Sequence, residues 1–367
     1  QGYSSAASDV YKRQILMEES DMSISKSEFG FFRGYKCWLV TLANSRGAVA
    51  RLTNFGGAVV GLEVPDRNGV NADVVLGYDT LQEYVDGNSS HGALVGRYAN
   101  RIGGAKINVS GREYRLSAND NKVNHLHGGF FGYNKRVWTV DAMDGGDEPS
   151  VTFGYVSPDG EENYPGTLKI SVKYTLTNSN ALVIDYTAVS DADTVINLTN
   201  HSYFNLKGAG NGDVKDHVVQ INASQYTPVD ELLIPTGKLA FVTGTAFDFK
   251  TPKPVRQDMD NGKLPNGYDH NFILGDPGVM RTAAEVCEPE TGRVMTVKTD
   301  KPAIQFYIGI GLDGENGKNG KKYNKYAGLC LESQFSPDTP NKPQFPSCVY
   351  KAGQTYRFTT VYEFSVR

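Results

Sequence analysis

The rarest titratable side chains carry the most chemical information. Six histidines occur in 367 residues: His91, His125, His127, His201, His217 and His270. In Asn197-Leu198-Thr199-Asn200-His201-Ser202-Tyr203-Phe204-Asn205-Leu206, alternation with a period of two puts Leu198, Phe204 and Leu206 on one face and Thr199, His201 and Tyr203 on the other. A lone histidine beside a strand is more often structural than catalytic, yet amide and hydroxyl neighbours at alternating positions are what the wall of a polar cleft requires. Glu332 lies in Tyr326-Ala327-Gly328-Leu329-Cys330-Leu331-Glu332-Ser333-Gln334-Phe335, where Leu329 and Leu331 point one way and Cys330, Glu332 and Gln334 the other. A single carboxylate in so apolar a strand has to be paired, hydrogen-bonded or functional; the plain alternative is a surface carboxylate on an edge strand. Gln305, opposite Ile304, Phe306 and Ile308, repeats the pattern, and an amide on a sheet face is a natural reader of hydroxyls. Tyr268-Asp269-His270-Asn271-Phe272 sets three polar side chains between aromatics, which suits a sugar site and equally a capped turn.

Other chemistries find less support. His125 and His127 at i and i+2 of a strand would point the same way, as metal ligands do, but Gly128-Gly129-Phe130-Phe131-Gly132-Tyr133-Asn134-Lys135 follows with no carboxylate to complete a 2-His-1-carboxylate set. No Walker-type phosphate loop and no Gly-x-Ser-x-Gly occur, so neither a nucleotide cofactor nor a serine hydrolase is implied. Gly56-Gly57 and Gly103-Gly104 read instead as bulges or turns. The four cysteines, Cys37, Cys287, Cys330 and Cys348, have no close paired spacing and read as reduced packing residues.

The elements that must position these residues are strands. Leu168, Ile170, Val172, Tyr174 and Leu176 alternate with Lys169, Ser171, Lys173, Thr175 and Thr177. Asn178-Ser179-Asn180 supplies a turn, and Leu182, Ile184, Tyr186 and Ala188 resume the alternation, which predicts an antiparallel hairpin. Similar runs cover residues 51–64, 151–156, 194–206, 217–223, 294–299, 303–310 and 356–366, punctuated by 40 glycines and 16 prolines. The one clear helix signal is Thr80-Leu81-Gln82-Glu83, a capping box worth a turn or two. The fold class is all-β, a large antiparallel sandwich.

Composition narrows the partners. Hydrophobic residues make up 39% of the chain and charged residues 21%, ordinary for a core-forming protein. Thirty-seven basic against 41 acidic residues leave a net charge of −4, of the wrong sign for a nucleic-acid binder. No apolar run is long enough to cross a membrane, and residues 1–30 carry no secretory leader pattern, so the expected compartment is cytoplasmic. The sequons at Asn197 and Asn200 sit inside a strand-like segment that glycans could not share with a core. Residues 1–16 show no apolar periodicity and read as an extension foreign to the fold; residues 17–367 contain no linker or repeat and are expected to form a single domain.

Taken together, Gly96-Arg97-Tyr98-Ala99-Asn100-Arg101-Ile102, Leu126-His127-Gly128-Gly129 with Lys135 and Trp138, Asn200-His201-Ser202-Tyr203-Phe204-Asn205-Leu206, Gly267-Tyr268-Asp269-His270-Asn271-Phe272 and Leu331-Glu332-Ser333-Gln334 resemble the aldose 1-epimerase (galactose mutarotase) family, in family order and over nearly all of the chain from Ser25 onward. The resemblance implies the family's β-supersandwich with a sugar cleft on one sheet, and an isomerase that interconverts the α and β anomers of free hexoses such as galactose and glucose. It implies Glu332 as the base that takes the anomeric proton and His201 as the acid that protonates the ring oxygen. It also implies His127, Asn100, Arg101, Asp269 and Gln305 as sugar-binding residues, and neither metal nor cofactor. Phe335 stands where many members of the family carry Trp, which bears on how the sugar is stacked. Two related readings remain beside this one. A hexose 6-phosphate epimerase would need cations beyond Arg101, which do not cluster in the motifs, and a non-catalytic sugar-binding module would keep the cleft without the chemistry.

Overall fold

The computed structural model describes residues 23–367, so the expectation for residues 1–16 lies outside the described residues. Three antiparallel sheets make up most of it. The largest runs, in spatial order, Thr139–Asp144, Ser150–Ser157, Leu168–Leu176, Ala181–Ser190, Thr355–Val366, Arg293–Thr299, Arg281–Cys287, Val218–Ile221 and Lys253–Pro254. An N-terminal sheet runs in chain order from Ile24–Phe32 through Tyr35–Ala43, Val49–Thr53 and Ala58–Pro65 to Asn71–Asp73. The third sheet, which carries Asp269, Gln305 and Glu332, orders Ala240–Phe241, Gln225–Tyr226, Asp269–Ile273, Ala303–Tyr307 and Cys330–Gln334.

The predicted hairpin is present, with Leu168 opposite Ser190 and Leu176 opposite Leu182. Its apolar face, Leu168 to Leu176, is buried throughout, and the turn's Asn180 takes a φ of 61°, a left-handed conformation Asn tolerates well. The helix Leu81–Asp86 carries the expected capping box between Thr80 and Glu83. One hydrophobic cluster draws Val40 and Leu62 from the N-terminal sheet, Val172, Tyr186 and Tyr362 from the largest, and Ile304 and Leu331 from the third. Tyr362 Oη–H donates to the Leu331 carbonyl (3.0 Å), and the hydroxyls of Ser333 and Thr360 bond each other (2.5 Å), so one face of the Cys330–Gln334 strand is committed to the largest sheet. Alternation then turns Cys330, Glu332 and Gln334 to the opposite face, as the sequence predicts.

Two runs expected as single strands are broken. Residues 51–64 divide into Val49–Thr53 and Ala58–Pro65 because Gly56 and Gly57, both at positive φ (67° and 54°), turn the chain between them. Within 194–206 only Thr194–Val195 and Thr199–Asn200 pair as strands. The Asn200 side chain takes over the local hydrogen bonding, donating to the Gly92 carbonyl (2.7 Å) and accepting from the Ser202 hydroxyl (2.7 Å), which diverts the chain from a ladder. His201, Tyr203 and Phe204 are therefore all buried instead of alternating between two faces.

Candidate active site

Strand register builds the floor of a polar cleft of about 570 Å³, counted to its open mouth. Asp269 lies opposite Tyr307, and Gln305 opposite Glu332, on three neighbouring strands. The irregular segment after Asn200 brings in His201 and Tyr203; a short two-stranded ladder pairing Arg101 with Leu126 brings those two and their neighbours Asn100 and His127, and Asn88, Ser89 and Ser90 form the rim.

Glu332 and His201 meet at the bottom. Glu332 Oε1 is 3.6 Å from His201 Nε2, and the two residues are only 2% and 5% exposed. Glu332 Oε2 is buried with no hydrogen-bond partner. On the far side of the imidazole, Nδ1 is 3.7 Å from Cys330 Sγ. Burial pushes the Glu332 carboxyl well above the ordinary carboxylate range, reinforced by the charge of Asp269 and opposed by that of Arg101. Burial also lowers His201, to about 4. Both shifts disfavour a separated ion pair and favour a single proton held between the two groups.

The surrounding residues are held from behind. The Asn100 N–H donates to His127 Nδ1 (3.2 Å) while the His127 N–H donates to the Asn100 carbonyl (3.1 Å), and both residues are left-handed, at φ 64° and 52°. Burial, with the neighbouring His201 and Arg101, keeps His127 neutral, so its only ring proton sits on Nε2. Arg101 Nε–H donates to Asp120 Oδ2 (3.1 Å), and its Nη1 is 3.9 Å from Asp269 Oδ2. Gln305 Nε2–H donates to Asp269 Oδ1 (2.6 Å), and Gln334 Nε2–H in turn donates to Gln305 Oε1 (3.2 Å). Beneath the floor, the Lys301 ammonium donates to the carbonyls of Leu198 (2.6 Å) and Ser333 (3.4 Å), and the Thr199 hydroxyl to that of Ser333 (2.8 Å). These bonds staple the segment that carries His201 to the strand that carries Glu332.

Of the residues singled out in the sequence, Glu332, His201, His127, Asn100, Arg101 and Asp269 line this one cleft. Gln305 does not: it stands behind Asp269 and orients its carboxylate. Glu332 is on the outermost strand of its sheet, yet buried, because the loops close over it. The sequence did not single out Tyr307, Asp120 or the Asn88-Ser89-Ser90 rim. Tyr307 shares the face of Gln305 two residues on, which is a readable signal; Asn88 to Ser90 is only a polar run until the fold places it.

Three sequence readings are corrected. His125 and His127 do not share a face, since the left-handed turn at His127 breaks the alternation. His125 Nδ1–H donates to the Ser117 carbonyl (2.8 Å) and Nε2 accepts from the Tyr164 hydroxyl (2.7 Å), so it is a satisfied core histidine. Cys330 is more than packing, since its sulfur abuts His201. Phe335 faces away from the cleft and packs edge-on against Phe358, with ring centroids 5.5 Å apart, so it does not stack on a ligand there.

Comparison with known proteins gives a consistent set of relatives. The family model described as Aldose 1-epimerase matches residues 39–363. A galactose mutarotase from Bos taurus is 46% identical over 316 residues, 86% of this chain and 90% of the relative. An aldose 1-epimerase from Escherichia coli K12 is 37% identical over 332 residues, 89% and 94% of the two chains. Among solved structures, an aldose epimerase homologue from C. elegans superposes with a TM-score of 0.82 at 32% identity, covering 89% of this chain and 98% of the other.

Proposed function

The chain belongs to the aldose 1-epimerase family and interconverts the anomers of sugars, and from that premise we propose that Glu332 and His201 are the acid–base pair acting on free hexoses such as galactose and glucose. The observation that carries this reading is the buried carboxyl and imidazole 3.6 Å apart on the floor of a cleft whose other lining groups are mostly polar: amides, hydroxyls, the Asp269 carboxylate, the Arg101 guanidinium and the His127 imidazole. With the pair's single proton on His201, the Glu332 carboxylate takes the proton from the anomeric hydroxyl. The bond between C1 and the ring oxygen breaks, and His201 gives its proton to that oxygen. Rotation about the C1–C2 bond presents the other aldehyde face, and reclosure returns both protons, with the two groups exchanging duties. The pair still holds one proton in all after each half-reaction. His127 offers an Nε2–H to a sugar oxygen, while Asn100, Arg101 and the Asp269 carboxylate, held by Gln305, receive hydroxyls.

A hexose 6-phosphate is disfavoured by charge. Arg101 is the one Lys or Arg lining the cleft among the described residues, and it is already paired with Asp120. No helix among the described residues is long and apolar enough to cross a membrane. The four cysteines are all free, which fits a reducing, cytoplasmic setting.

The test is the optical rotation of freshly dissolved α-D-galactose. The expected result is an acceleration unaffected by chelator, faster on glucose than on glucose 6-phosphate, and reduced about 10²–10⁴-fold in kcat by Glu332→Gln or by His201→Asn. Full rates in both variants would overturn the assignment. Calorimetric binding of galactose without any acceleration would favour a binding module.

A further inference from the structure

Cys330 has no part in the proton transfers above, yet the strand pleat places its sulfur beside them. It precedes Glu332 by two residues, so both side chains rise from the same face, and the imidazole of His201 lies against them. One ligand atom from each of His201, Cys330 and Glu332 lies within 4.8 Å of the other two. Imidazole Nδ1 is 3.7 Å from the sulfur, and Nε2 is 3.6 Å from the carboxyl. A tetrahedral zinc ion, with bonds of ~2.3 Å to sulfur and ~2.0–2.1 Å to nitrogen, holds those two ligands ~3.6 Å apart. The nitrogen–sulfur pair is therefore near zinc-ligand spacing before any movement, while the Glu332 carboxyl, which rests beside the other ring nitrogen, has to draw in from within 4.8 Å to complete the set on one nitrogen. Glu332 Oε2 adds a second, independent sign: a buried oxygen without a partner, on a side chain almost wholly buried.

We propose that the floor of the cleft is also a binding site for a soft divalent cation of the zinc type, held by the His201 imidazole, the Cys330 thiolate and the Glu332 carboxylate, and that the bound ion switches the enzyme off. The fourth position opens into the cleft, where water completes the tetrahedron in the space a sugar would otherwise occupy. Binding balances simply. The S–H bond of Cys330 is exchanged for a metal–sulfur bond, and the single proton shared by His201 and Glu332 also leaves, so one dication enters and two protons go to solvent. A dication with one thiolate and one carboxylate leaves the floor with no net charge, which suits so buried a place. Neither proton-transfer group is then free to act. Inhibition rests on the acid–base reading given above, whereas binding of the ion does not.

The experiment uses the whole protein with zinc and, as a spectroscopic probe, cobalt(II). Cobalt is expected to bind once per chain and to show the near-ultraviolet charge-transfer band of a thiolate ligand, absent in Cys330→Ser and Cys330→Ala. Zinc is expected to abolish that band and to inhibit mutarotation in competition with galactose, with an inhibition constant that falls about 100-fold per pH unit as two protons are released. Magnesium and calcium, which prefer oxygen ligands, are expected to do neither at the same concentration. A parent protein without the band, a band that survives both cysteine variants, or zinc inhibition that galactose does not relieve would each overturn the proposal. The cation ranking and the competition need no variant, so a misfolded mutant does not shield the idea. If His201→Asn and Glu332→Gln stay active while the cobalt band is present, the acid–base reading fails and the metal site stands.

Discussion

At the scale of single residues, the proposed mechanism has one proton serve two groups. His201 is lowered to about 4 and Glu332 is raised, in both cases first by burial. Below pH about 4 a second proton lands on His201 and no base remains; at high pH the single proton leaves and no acid remains. Between those limits the pair is competent, and moving the proton between its members changes no net charge. The expected kcat/KM profile therefore falls on the acid side near 4. Polarimetry across that range checks it, and an acid limb centred at ~6.5, the value of an ordinary histidine, would contradict it. Much of this was legible in the sequence, because a carboxylate between Leu331 and Ser333 in an apolar strand calls for an explanation. The proximity of Cys330 to His201 was not legible, since 129 residues separate them in the chain.

At the scale of elements, the turn after His127 shows how a short loop sets a side chain. His127 and Asn100 lock one another through two reciprocal hydrogen bonds. The next turn is clamped by Glu162, which accepts from the N–H groups of Phe130 (3.2 Å) and Phe131 (2.9 Å). Gly128 sits between these anchors at φ 83°, and a Cβ there would run into the Gly96 carbonyl. Gly128→Ala is expected to cost about 1–3 kcal/mol through the backbone dihedral alone, with more from the collision. Because the displaced residue is His127, galactose KM is expected to rise together with the loss of stability; urea melts and polarimetry on the same preparation measure both. The hairpin at 168–190 was legible because a strict period of two has one reading. The segment 194–206 was not, because Asn200 offers its backbone neighbours side-chain partners that compete with a ladder, and alternation says nothing of that competition.

At the scale of the molecule, Lys301 is a buried ammonium that joins the two halves of the site from below. It lies over the Tyr186 ring at 4.0 Å and has its pKa lowered to about 7, chiefly by burial, against 10.5 in an open chain. Between those values the unfolded chain binds a proton that the folded one does not, so this residue's contribution makes stability rise with pH across that window; the cost of its burial is felt in full below about 7. Lys301→Met removes that dependence. The stability of the parent relative to the variant is expected to climb between pH 7 and 10, with a slope approaching about 1.4 kcal/mol per pH unit. Urea denaturation of both proteins at several pH values measures it, and parallel curves would contradict it.

The sequence alone determined the class of fold and the faces of the regular strands, and it marked His201, Glu332 and Asp269, because side-chain period and residue chemistry are local properties carried by neighbours in the chain; Asn100, Arg101 and His127 entered only through the resemblance of their motifs to the family. Tertiary structure alone decided that Glu332, on the outermost strand of its sheet, is buried, that Gln305 serves Asp269 from behind, that His125 belongs to the core and that Phe335 turns from the cleft. Each of those outcomes depends on which distant segment closes over or bonds to the residue. The 3.6 Å between Glu332 and His201 is set by Lys301 and Thr199 bridging backbones far apart in sequence, and a pattern of period two holds no information about such a bridge.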